Sequence, residues 1–210
     1  MFCLVHGLGV GQGYFARLAQ ELGEVLRPEL RTALPIPELG AQLAALLPGP
    51  AVLVANSMGC QVATEVAVRR PELVEALVLV GPTVDTHTHS AARHVLRLAV
   101  DGRYEPLRLT AIVIRDYFTY GPLRLVEQAR FALEDRIEER LPLVEAPTLV
   151  LRGAHDPLSP ARWCAEATAL LPDARLVTVP EAGHAVHYSH AQEVAAEIRG
   201  FLAGTRAAPR

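Results

Sequence analysis

Short, wholly apolar runs alternate with helical stretches along most of this chain, and few folds accept that pattern. Residues 51–55 read Ala-Val-Leu-Val-Ala, and Val74–Val80 carries Glu75 as its only charge. Runs of this kind suit strands buried on both faces of a sheet, and strand–helix–strand repeats build a parallel one. Phe2–Val5, 24–27, 147–151 and 175–179 read as further strands. Residues 14–22, 36–47, 58–70 and 160–171 read as the intervening helices, several of them stopped by proline. Ser159 is expected to cap the helix at 160–171, with Pro160 in its first position. Ser189-His190-Ala191-Gln192 fits a capping box for a last helix to about residue 201.

One segment breaks the alternation. Between residues 86 and 145 the pattern is helical without strands, and Leu125, Ala129, Leu133, Ile137 and Leu141 recur every four positions. Glu134, Asp135, Arg136, Glu138, Glu139 and Arg140 fill the opposite side, as a solvated helix face would. The expected organisation is a core of residues 1–85 and 146–210, interrupted by a helical lid insertion at 86–145. The lid reads as apolar and free of any charged cluster.

At 210 residues and 50% apolar composition, the chain suits a single domain with one sizeable core. A net charge of −3 gives no basic excess, so neither nucleic acid nor an anionic membrane is an expected partner. All 20 basic residues are arginine, which excludes Schiff-base chemistry and a phosphate-loop lysine. Cys3, Cys60 and Cys164 have no metal or redox spacing and read as reduced thiols. No secretory signal and no membrane span are read, and a cytoplasmic location is expected.

The chemistry is concentrated at the ends of strands. Ala55-Asn56-Ser57-Met58-Gly59 lies where a buried strand turns straight into a helix, with small residues two before and two after the serine. Such a turn strains the serine and presents its hydroxyl above the sheet edge. A plain helix N-cap is the competing role for Ser57. Asp156 follows the strand at 147–151, and His184 follows the strand at 175–179. Ser57, Asp156 and His184 thus reach the same sheet edge in the chain order Ser, Asp, His. His6-Gly7-Leu8-Gly9 follows the first strand, where the amide of Leu8 joins that of Met58 as an oxyanion donor. The glycines there alternate as G-x-G-x-G-x-G, which is not the dinucleotide spacing.

Other groupings carry less. His184, His187 and His190 invite a metal reading, but a loop-to-helix break between them spoils a common ligand face; His87 and His89, in a loop at the lid entrance, read as surface or pocket-lining histidines. No metal and no cofactor are expected. Cys60 and Trp163 read as core. Tyr117, Phe118 and Tyr120 either line an acyl pocket or pack the lid to the body.

These motifs resemble the α/β-hydrolase fold, and the likeness runs from His6-Gly7 to about Phe201. Asn56-Ser57-Met58-Gly59 is similar to the elbow of hydrolases that cleave carbon–carbon bonds in ring-fission products. Asp156 and His184 match the family's acid and base positions. The resemblance implies a doubly wound, mostly parallel sheet in the order 2-1-3-4-5-6, opening at what would be the family's third strand and so lacking the first two. It implies a serine hydrolase acting on a small-molecule substrate through an acyl-enzyme. A small apolar ester, thioester or lactone is the expected substrate, with a vinylogous diketone as the alternative and a non-catalytic ligand binder as the rival class. Some members take their acid from the position of Asp85, but Asp156 is the expected acid: it follows the next strand by a few residues, its Gly153-Ala154-His155-Asp156-Pro157 loop resembles the family's acid loop, and Asp85 opens the insertion. A histidine base with an ordinary imidazole pKa implies that kcat/KM falls as the pH drops through roughly 6–7.

Overall fold

The computed structural model describes residues 1–88 and 90–207. Among these, the strands form one six-stranded parallel sheet in the order β2-β1-β3-β4-β5-β6, as expected. The strands are β1 (Phe2–Val5), β2 (Val25–Leu26), β3 (Ala51–Asn56), β4 (Val74–Val80), β5 (Thr148–Gly153) and β6 (Ala174–Val179). The helices α1 (Ala16–Leu22), α2 (Ile36–Leu46) and α3 (Met58–Arg69) lie between the early strands. After the helices between β4 and β5 come α8 (Ala161–Leu170), α9 (Val186–Ser189) and α10 (Ala191–Ala207).

Successive strand residues point to opposite faces, so each central strand feeds two cores. Leu53, Leu77, Leu79 and Val150 pack with Leu43, Val62, Val66 and Trp163 from α2, α3 and α8. Val52, Val54, Val78 and Leu151 pack with Leu18, Val194 and Ile198 from α1 and α10. This is why the central runs contain almost no polar residue. Burying each large aliphatic side chain contributes roughly 1.5–3 kcal/mol against leaving it in water. The register pairs Val5 with Ala55, Asn56 with Val80, Val80 with Leu151 and Gly153 with Val179. The carboxyl ends of five strands therefore open onto one edge, where loops are free to carry chemistry.

Between β4 and β5 the chain forms α4 (Ala91–Asp101), α5 (Leu107–Tyr120), α6 (Pro122–Glu134) and α7 (Ile137–Arg140). The four-residue repeat from Leu125 to Leu141 is not one helix, because the backbone turns extended at Asp135 (φ −73°, ψ 136°). Nor are all its charges solvated. Asp135 Oδ2 lies 2.6 Å from Arg140 Nη2 and accepts from Gln61 Nε2 at 2.9 Å, while Arg140 Nε stands 3.3 Å from Glu65 Oε2. With Asp135 and Glu65 nearly buried, this network ties the insertion to α3. Arg136, Glu134 and Glu139 do face solvent.

Both predicted serine caps are displaced. The Ser159 hydroxyl donates to Pro82 O at 2.8 Å, and its amide donates to Asp156 Oδ1 at 2.9 Å, so Pro160 occupies the N-cap position of α8. Ser189 ends the one-turn α9, and its hydroxyl bonds back to Ala185 O rather than capping α10. In each case the hydroxyl turns to a tertiary or preceding-turn carbonyl and away from the first amides of the helix it was expected to cap. No helix among the described residues is long and apolar enough to cross a membrane.

Candidate active site

With β3 ending at Asn56 and α3 starting at Met58, Ser57 alone makes the turn. Its φ of 57° and ψ of −128° are disfavoured for any residue with a side chain, at a cost of about 1–3 kcal/mol. Glycines make room for the turn. A Cβ on Gly59 would stand 2.4 Å from Val5 O and 2.7 Å from His6 O, and one on Gly7 would stand 3.2 Å from Ser57 Cβ. The small residue two after the serine is thus demanded by the close approach of α3 to the end of β1. Ser57 carries no side-chain capping bond, so the N-cap alternative is not the role it fills.

Asp156 and His184 meet across the ends of β5 and β6. Asp156 Oδ2 lies 2.8 Å from His184 Nδ1, and its Oδ1 accepts the amides of Leu158 and Ser159 at 2.8 and 2.9 Å. His184 Nε2 is buried without a hydrogen-bond partner. His184 and Ser57 line the same cavity of about 410 Å³, together with Leu8 and Met58. Asp85 is elsewhere. Its carboxylate is fully buried between Arg97 (3.1 Å) and Arg162 (3.0 Å), joining α4 to α8. Burial opposes its ionisation, but the His87 amide and the two arginines outweigh it and hold its pKa below the ordinary value.

Several contributors were not visible in the sequence. The Leu30 amide donates to His6 Nε2 at 3.0 Å, so His6 Nδ1 carries the proton and donates to Gly7 O at 2.8 Å. That buried ring braces the loop bearing Leu8. Asn56 Nδ2 donates to Val80 O (2.9 Å) and His184 O (3.3 Å), and Asn56 Oδ1 accepts from Tyr14 Oη (2.9 Å). At Gly81 (φ +55°) a Cβ would fall 2.9 Å from His184 Nδ1 and 3.0 Å from Asp156 Oδ2. The insertion, expected to lack a charged cluster, supplies two carboxylates instead. Asp101 Oδ1 accepts the His184 amide at 2.8 Å, and Glu105 Oε1 accepts the Ala185 amide at 2.7 Å. In sequence, Asp101-Gly102-Arg103-Tyr104-Glu105 looks like a polar turn between helices.

These charges govern the imidazole. Burial would lower the His184 pKa, but Asp156, by its charge and hydrogen bond, and then Asp101 and Glu105, raise it to about 9. Burial likewise opposes ionisation of Asp156, yet His184 and the two loop amides hold its pKa down. The expected titration at roughly 6–7 is therefore displaced upward.

The three histidines at 184, 187 and 190 do not converge. His187 is buried against the rings of Tyr14 (4.6 Å) and Phe15 (4.3 Å), and burial with the nearby His184 charge lowers its pKa to about 3. His190 meets Ser189 Oγ at 3.0 Å. His87 pairs with Glu166 at 3.2 Å, and His89 lies outside the described residues. Among the described residues, no group of three or more His, Cys, Asp or Glu side chains is placed to hold a metal ion. Cys60 is fully buried beneath the elbow, where burial raises its pKa well above the ordinary thiol value. Trp163 is core, with its indole N–H on Pro82 O at 2.9 Å. Of the three aromatics, Tyr117 lines the cavity, Tyr120 is buried beneath Arg31 and Phe118 faces solvent.

Known proteins agree with this architecture. A pimeloyl-(acyl-carrier protein) methyl ester esterase of Chromobacterium violaceum is 29% identical, the match covering 90% of this chain and 89% of the relative. A protein of the same name from Aromatoleum aromaticum is also 29% identical, over 96% of this chain and 97% of the relative. The solved structure of a thermophilic esterase from Thermogutta terrifontis shares the fold, with a TM-score of 0.80 at 22% identity, covering 97% of this chain and 89% of that one. The model of the alpha/beta hydrolase family matches residues 4–197. On the strength of that match and of the fold, this chain is a hydrolase that belongs to the alpha/beta hydrolase family.

Proposed function

We propose that this chain is a carboxylic ester hydrolase that works through an acyl-enzyme on Ser57. One observation carries the reading: a serine held at positive φ between β3 and α3 shares a cavity with a histidine whose far nitrogen is bound to a buried aspartate. Ser57 Oγ attacks the acyl carbon while His184 Nε2 takes its proton, and Asp156 holds the imidazole in the required tautomer and stabilises the imidazolium. The amides of Leu8 and Met58 receive the oxyanion. His184 returns the proton to the departing alcohol, then removes one from the water that cleaves the acyl-enzyme.

The cavity wall supports a small, largely apolar ester, thioester or lactone. Leu109, Val113, Tyr117 and Leu158 contribute to it, and a volume of about 410 Å³ suits an acyl group of modest length. The methyl ester esterases among the relatives support an ester with a small alcohol part. Residues 86–145 act as the lid, since α4, α5 and α6 all contribute side chains to the cavity. Nitrophenyl and methyl esters of graded acyl length test the substrate class. Short and medium acyl chains are expected to outpace both long-chain and anionic esters in kcat/KM. Preference for a dienoic ring-fission product would move the assignment to carbon–carbon cleavage, and tight binding without turnover would move it to a ligand binder.

The pH dependence follows from the three carboxylates around His184. Only the neutral imidazole accepts the Ser57 proton, and a raised pKa enlarges the charged fraction at neutral pH. kcat/KM is therefore expected to climb with pH through the 7–9 range and to level off as His184, near 9, loses its proton. A profile already flat above pH 7 would contradict that electrostatic setting.

A further inference from the structure

The inserted helical segment does more than roof the cavity, because it bonds directly to the backbone of the candidate base. Asp101 ends α4, and Glu105 stands four residues on, ahead of α5. Their carboxylates accept two successive amides, those of His184 and Ala185. Both carboxylates crowd Gly183 as well: a Cβ there would lie 2.6 Å from Glu105 Oε1 and 3.0 Å from Asp101 Oδ1. Sheet, elbow and loop bonds hold the His184 side chain and carbonyl through Asp156 and Asn56, whereas among the described residues its amide is held from the insertion. We propose that Asp101 and Glu105 are positioning residues for His184, a pair of carboxylates by which the inserted segment sets the placement and basicity of the general base.

The inference rests on the hydrolase reading above and deepens it. Carboxylates are stronger acceptors than carbonyls, and two of them on adjacent amides fix the peptide that carries the imidazole. As anions they also favour the imidazolium that forms when Ser57 attacks. Among the described residues, the titratable groups around His184 and its cavity include Asp156 after β5, Asp101 and His94 on α4, Glu105 ahead of α5, Tyr117 on α5, His187 on α9 and Tyr14 before α1. Asp101 and Glu105 are the anions among them that come from the insertion. Burial raises the Glu105 pKa to about 7, so part of this field switches off near neutral pH. An insertion bonded in this way couples its own position to the competence of the base.

The test separates bond from charge. Asp101→Asn and Glu105→Gln keep an acceptor oxygen and remove the charge, whereas Asp101→Ala and Glu105→Ala remove both. The alanine variants are expected to lose between about tenfold and a hundredfold in plateau kcat with KM little changed, as for a misplaced catalytic group. The amide variants should recover most of that loss. They should also move the acid limb of kcat/KM, and the His184 titration followed by 15N NMR, to lower pH by about half a unit or more. Alanine variants with the parent's plateau kcat, or amide variants with an unmoved titration midpoint, would overturn the proposal. If the alanine variants fail to fold, the amide pair still decides it. If the parent chain turns over no ester, the hydrolase reading fails, and the NMR midpoint still reports whether these carboxylates act on His184.

Discussion

Ser57→Ala is expected to lower kcat on esters by on the order of 10⁴–10⁶-fold while leaving the fold intact. The size of the effect follows from the chemistry, since without the hydroxyl no acyl-enzyme forms and only binding and oxyanion stabilisation remain. The stability should hardly change. Alanine keeps the Cβ that Gly7 already accommodates and is strained at a φ of 57° as serine is, and the hydroxyl makes no capping bond. An unfolding free energy within about 1 kcal/mol of the parent is expected. Stoichiometric labelling by a fluorophosphonate should map to Ser57 and vanish in the variant. Undiminished labelling or turnover would remove Ser57 as the nucleophile.

The second large effect separates the two candidate acids. Asp156→Asn is expected to cost about 10³–10⁴ in kcat, because an amide cannot both hold the Nδ1–H tautomer and stabilise the imidazolium. Asp156 Oδ2 is 2.8 Å from His184 Nδ1, and its other oxygen is pinned by two amides, so the carboxylate has one available orientation. Asp85→Asn should stay within about tenfold of the parent, or about 1.4 kcal/mol in the barrier. Its consequence belongs to stability instead. Arg97 and Arg162 lose their shared anion, but they are partly exposed (26% and 49%) and rehydrate, so a loss of about 1–2 kcal/mol is expected. Rates for the two variants should therefore differ widely, with Asp156→Asn far the slower. The reverse ranking would assign the acid to Asp85.

Both acids were visible as candidates in the sequence, since each follows a strand at the catalytic edge. The sequence favoured Asp156, by its spacing from the preceding strand and its Gly153-Ala154-His155-Asp156-Pro157 loop, while Asp85 opens the insertion. The choice depends on whether β5 or β4 ends beside His184, on which arginines approach, and on the loop at 158–159 turning its amides inward. Ser159 illustrates the difficulty: as a sequence it is a helix cap, and in the fold its hydroxyl serves Pro82 while its amide serves Asp156. The helical repeat from Leu125 to Leu141 fails for a related reason. Asp135 is drawn out of the helix to meet Arg140 and Gln61, whose approach is set by packing against α3.

The strands of a parallel sheet and the serine elbow were legible from residue order alone, because their causes are local, whereas the strand order was implied by the family resemblance. A strand buried on both faces must be apolar throughout, and a strand running directly into a helix through one serine needs small neighbours wherever it occurs. The surroundings of His184 were not legible. Asp101 and Glu105 lie some eighty positions away, and Gly81 over a hundred. They meet His184 only because the insertion folds back over the strand ends, and electrostatic influence follows distance in space rather than along the chain. Residue order and the family resemblance together were enough to name Ser57, His184 and, ahead of Asp85, Asp156 as candidates. That Asp156 faces the imidazole, and how basic that imidazole becomes, follow from folding, which buries His184 with Asp156 and Asp101 and sets the half-buried Glu105 beside them, where water screens their charges less.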